Sequence, residues 1–345
     1  MGASGLSFKS CLNMNEYEFY DKIPRNIIKL FNKPLNIKMN LPIYKEYTIL
    51  RNPVEKNDEI YYGHWNFKNQ KSGFGKMIKK INNKETIYIN GKWENGELKY
   101  AIIFEKNGVY EGEIKNYLYC GKGKFTYADT KNIYEGFFID GEIFGSGILK
   151  YPDGCIYSGQ LIDNKKEGEG FFIWSNGYYY KGNFKNDIFN GRGILKKGGE
   201  KLYEGGFKNG FFMGKGKFTW VYPNNEQECY DGEYLYGKKH GYGEFKFKNG
   251  NTYKGMWFDN KANGEGSFET KNKIYKCNYQ YGIVLNIIDV YSKTNEDEEK
   301  IDLDIDTPKE GLYIDRLPHL NYEEFKLNDD KEFSLVLFDA LPTGV

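Results

Sequence analysis

Hydrophobic and polar residues alternate with a period of two through most of this chain, and the alternation is punctuated by glycine at regular intervals. Gly63, Gly91, Gly112, Gly136, Gly159, Gly182, Gly205, Gly232 and Gly255 follow one another at spacings of 28, 21, 24, 23, 23, 23, 27 and 23 residues. Except at Gly91, a tyrosine stands two positions earlier: Tyr61, Tyr110, Tyr134, Tyr157, Tyr180, Tyr203, Tyr230 and Tyr253. A large apolar residue stands two positions later, as in Trp65, Phe138, Phe184 and Trp257. Period two places the ring, the glycine and the second apolar residue on one face of a strand. Charged residues such as Glu111, Glu135 and Lys181 take the other face.

Nine or ten residues beyond each tyrosine-flanked glycine comes Gly-x-Gly, from Gly73/Gly75 to Gly264/Gly266, followed by a second alternating run such as Glu244-Phe245-Lys246-Phe247. Between the runs lie pairs such as Asp140-Gly141, Asn209-Gly210 and Asp259-Asn260, which accept the positive φ of tight hairpin turns. Each unit of about 23 residues therefore predicts one β-hairpin, and eight units satisfy the whole template. The expected fold is all-β: an elongated single-sheet ribbon, or solenoid, of about nine consecutive hairpins with short capping segments at both ends. A lone hairpin is marginal in water, so neighbouring rings must cover one another. Two units depart from the template. Around Gly91 the tyrosine slips to Tyr88 and Gly-x-Gly is absent from 94–109, while Cys277 replaces the glycine in Tyr275-Lys-Cys277-Asn-Tyr279, where the array is expected to end.

Tyr-x-Gly-x-aromatic, then Gly-x-Gly, then a turn such as Tyr151-Pro-Asp-Gly154 resembles the MORN (membrane occupation and recognition nexus) repeat. The resemblance covers 61 to about 280, roughly two thirds of the 345 residues. It implies a non-enzymatic scaffold that binds partner proteins, and in some relatives a second copy of itself, at membrane-associated, cortical, cell-division or axonemal structures. The alternative it implies is a peripheral module that binds anionic phospholipids through the array.

Composition supports order: 31 Tyr, 25 Phe and 5 Trp are too many rings for a disordered chain, although the mean hydropathy is −0.72. The net charge of +1 conceals an uneven distribution of Lys and Arg against Asp and Glu. These number 9 against 7 in 1–60, 34 against 25 in 61–285, and 6 against 16 in 286–345. The chain divides accordingly into an N-terminal packing segment and linker (1–60), the array (61–285) and an acidic tail or cap (286–345). The tail contains the alternation Ile301-Asp-Leu303-Asp-Ile305-Asp306 and is expected to add an edge strand or to lie against the basic array.

The chemistry of catalysis is missing. His64, His240 and His319 accompany no nucleophile signature, and the five cysteines are too far apart for a metal knuckle. Gly232 to Lys238 approaches a phosphate-binding loop but has Lys239 where Ser or Thr is needed and no helix behind it. No catalytic, metal or cofactor site is expected, and no nucleic-acid partner. Gly2 is a candidate for myristoylation and Cys11 for a second lipid, although Leu6 stands where the acylation pattern wants a hydroxyl. With no secretory leader or membrane span in the sequence, the expected location is cytoplasmic, at the cortical membrane or cytoskeleton.

Overall fold

A computed structural model describes residues 21–31, 49–82, 85–222 and 225–293. Gly2, Cys11, His319 and the tail from 294 onward lie outside the described residues. The chain forms two compact units, 1–164 and 165–345. Among the described residues the first holds ten strands, from Ile49–Lys56 to Ile156–Ile162, and the second eleven, from Lys165–Ile173 to Ile283–Ser292. Within each unit every strand pairs antiparallel with the next in sequence, so both are open meanders, as the hairpin reading expects.

The repeat around Tyr180 shows why these residues fold this way. In strand Tyr178–Lys185, Tyr180 and Phe184 are buried while Lys181 and Lys185 are exposed. Gly182 pairs with Gly193 on the following strand, Ile188–Lys197. A Cβ on Gly182 would lie 2.5 Å from the Cα of Gly193, and one on Gly193 would fall within the Tyr180 ring. The phenol therefore lies across both strands, over two residues that have no side chain, and its hydroxyl donates to the Asn183 carbonyl at 3.0 Å. Tyr203, Tyr230 and Tyr253 repeat this bond to Gly206, Glu233 and Met256. All eight repeat tyrosines are 0–1% exposed, and burying each ring contributes about 2 kcal/mol.

The first glycine of Gly-x-Gly does a different job. Gly191 has φ +109°, and the pairing slips between Gly182 and Phe184, so the strand bulges. The bulge turns Phe189, two residues before it, back over the Tyr180 ring, with centroids 4.0 Å apart. Each hairpin turn then ties to the preceding repeat by its backbone. Gly210 N–H donates to Phe189 O at 3.0 Å, and Asn260 N–H to Lys239 O at 3.1 Å.

The irregular repeat of the first unit keeps the register but changes the packing. Ile89 occupies the tyrosine position, Gly91 pairs with Ala101, and all of Ile89, Trp93 and Ala101 are fully buried. With no phenol across the strands, a methyl fits where the other repeats require glycine.

The ends differ from the expected boundaries. A helix spans Arg25–Phe31 directly after Pro24 and brings Ile27 and Ile28 with Ile23 against Ile60, Ile78 and Phe104. Residues 49–56, expected as linker, are a strand, and Pro53 sits at a bulge where its missing N–H disturbs no ladder bond. At the other end Cys277 does not terminate the sheet. It pairs with Gly266, and strand Ile283–Ser292 continues the meander beyond the boundary expected at 285.

Candidate binding groove

The residue two positions before Gly-x-Gly packs over the repeat tyrosine in several hairpins, and its identity varies along the array. In the second unit Phe189 and Phe212 cover the ring. Phe212 stacks on Tyr203 at 3.7 Å with the rings 10° apart. In the first unit Tyr119 stacks on Tyr110 at 3.8 Å and 11°.

Lysine occupies the position in three repeats. Lys71 Nζ is 5.1 Å from the Tyr61 ring and 2.9 Å from the Glu59 carboxylate. Lys166 Nζ is 5.8 Å from the Phe172 ring and 3.0 Å from the Asp187 carboxylate. Lys239, 3% exposed, sits within 5.1–5.8 Å of four ring centres, those of Trp220, Tyr230, Phe245 and Trp257. Burial pushes its amine down to about 7, with Glu228 pulling weakly the other way. The rings favour the cation through their quadrupoles.

Ile143 stands where Lys239 stands in its repeat, and counting from the glycines Tyr127 replaces Trp220, Leu149 replaces Phe245 and Leu161 replaces Trp257. Tyr134 is still fully buried, and a cavity of about 960 Å³ lies beside Ile143 and Leu161. Its walls include Tyr119, Phe125, Tyr127 and Phe138, together with Ile143 and Leu161. Four carboxylates line it, Glu105, Asp129, Glu142 and Asp163, against one ammonium, Lys106. Burial raises the Glu105 carboxyl above its usual range although the Tyr119 hydroxyl donates to it, and the same burial raises the Tyr119 phenol. A wide apolar trough with an acidic rim is suited to holding a chain segment of another molecule.

The residues singled out in the sequence are placed differently. The repeat tyrosines form the packed interior of the hairpins, and the repeat glycines lie beneath their rings. His64 donates from Nδ1 to the Phe74 carbonyl at 2.9 Å, and His240 lies 5.5 Å from the Phe258 ring, so neither faces a nucleophile. Among the described residues no group of three His, Cys, Asp or Glu is arranged to hold a metal ion. The segment from Gly232 to Lys238 is strand and tight turn, with Lys238 ion-paired to Asp259. The groove itself escaped the repeat template. Its signal was the variation at one position, which reads Lys71, Tyr119, Ile143, Lys166, Phe189, Phe212, Lys239 and Ala262.

Comparison with known families agrees with this architecture. The model of the MORN repeat matches residues 110–130, 134–156, 157–177, 180–198, 203–221, 230–252 and 253–273. No curated protein matches the chain. Seven MORN repeats thus lie within 110–273, the tyrosine lying across a glycine pair in those around Tyr110, Tyr134, Tyr180, Tyr203, Tyr230 and Tyr253, and the chain carries a MORN repeat array over that span.

Proposed function

We propose that this chain is a non-enzymatic scaffold that docks a partner protein in the groove around Ile143, at a membrane-associated or cytoskeletal structure. MORN repeats are generally associated with membrane, lipid or protein binding and are generally non-catalytic modules. The reading rests on one observation, an open trough of about 960 Å³ walled by apolar side chains and rimmed by carboxylates. Proximity labelling in the native cell tests it. Partners labelled by the wild-type chain should be lost from a variant with the trough filled by Leu161→Trp, and an unchanged set of neighbours would contradict it.

A second reading, binding of anionic phospholipid, is favoured by the opposite face of the second unit. Lys181, Arg192 and Lys215 are exposed there, with Lys196 beside them and Glu204 and Glu233 among the neighbouring acids. On this reading the full chain sediments with phosphatidylserine vesicles and is released as salt shortens the Debye length. Acylation at Gly2, with Cys11 as a second site, would strengthen either mode of attachment. Among the described residues no helix is long and apolar enough to cross a membrane.

A further inference from the structure

Contacts between a lysine and aromatic rings recur within this chain. In the repeats around Tyr61 and Tyr230, and beside Phe172, a lysine of this chain lays its ammonium against aromatic rings. A carboxylate accompanies it in each case: Glu59 and Asp187 as ion pairs, Glu228 by longer-range attraction. Around Ile143 the lysine is absent and two of the four rings that surround Lys239 are replaced by leucines, but other rings and carboxylates line the groove. Tyr119, Phe125, Tyr127 and Phe138 supply ring surface, and Glu105, Asp129, Glu142 and Asp163 supply negative charge.

We propose that the groove recognises a lysine or arginine side chain on a partner protein segment, its cationic head at the acidic rim formed by Glu105, Asp129, Glu142 and Asp163. This rests on the reading of the groove as a partner-binding site. Cation–π attraction and the acidic rim both favour such a head, and Ile143 and Leu161 provide an apolar wall for its aliphatic stem. The same charge argues against two other occupants. The tail beyond 285 carries 16 acidic against 6 basic residues, and an anionic lipid headgroup would meet the same four carboxylates.

Ile143→Lys tests this directly, because it restores the lysine of the other repeats and so makes the groove supply its own cation. Random peptides displayed on phage are selected on the full-length chain and counter-selected on Ile143→Lys. Leu161→Trp serves as a second filled variant should the first fail to fold. The expected result is that peptides dependent on the open groove are enriched in Lys or Arg. Replacing that residue by norleucine in a synthetic copy should weaken binding roughly tenfold. Groove-dependent peptides that lack Lys and Arg would overturn the cation proposal and leave partner binding standing. Peptides that bind wild type and both filled variants alike would overturn both.

Discussion

The repeat around Tyr180 and the repeat around Ile89 have the same register and opposite demands. In the first, a phenol lies over Gly182 and Gly193, and neither position has room for a Cβ. In the second, Ile89 stops short of the neighbouring strand, Leu98 and Trp93 fill in from the side, and Ala101 stands buried where Gly193 stands in its repeat. Only one glycine of the pair is retained, Gly91, where an added Cβ would lie 2.5 Å from Leu98 Cδ1. In these two repeats the second glycine goes with a tyrosine two residues before its partner, and where Ile89 replaces the tyrosine Ala101 replaces the glycine.

The largest effect should come from Gly193→Ala. Its methyl has nowhere to go without displacing the Tyr180 ring, so a loss of about 3 to 5 kcal/mol is expected in urea unfolding. The matching change in the irregular repeat, Ala101→Gly, should cost about 1 kcal/mol from lost packing and added unfolded-state entropy. Comparable losses at the two sites would break the comparison.

Next comes the lysine cover. Since burial holds the Lys239 amine down to about 7 against an ordinary 10.5, the unfolded chain binds the extra proton between those values. Stability should therefore rise with pH across that window, and the penalty should be complete below it. Lys239→Met should remove the slope and stabilise the protein by about 2 kcal/mol near neutral pH, where the rings still contact an apolar chain. A wild-type profile flat from pH 7 to 10 would show that the four rings hold the amine charged throughout.

A smaller loss, about 1 kcal/mol, is expected for Tyr180→Phe, which keeps the ring over the glycines and removes only the hydroxyl bond to Asn183. Smallest is Lys201→Ala. That lysine pairs with Glu204 on the open surface at 51% and 52% exposure, and the change should stay within about 0.5 kcal/mol.

The hairpins were legible in the sequence because the tyrosine and its glycines form a local steric code within one pair of strands. The code also explains what was misplaced. Strand Ile283–Ser292 has neither tyrosine nor glycine at the template positions, so the array seemed to stop at Cys277. Strand Ile49–Lys56 was obscured by Pro53, which reads as a breaker until its bulge is known. The groove was not legible because it is walled by residues such as Ile143 and Leu161, which come from two hairpins and are each unremarkable alone. What distinguishes them is the larger residues at the same positions around Lys239.

The account stands most directly on a double-mutant cycle of Tyr180→Ile with Gly193→Ala, the pair of changes that converts one kind of repeat into the other. Each single variant should lose several kcal/mol in urea unfolding, one by leaving a cavity and the other by a clash. Together they should lose clearly less than the sum, by about 2 kcal/mol or more, because removing the ring makes room for the methyl. Additive losses, within about 0.5 kcal/mol, would show that the tyrosine is not the reason for the glycine.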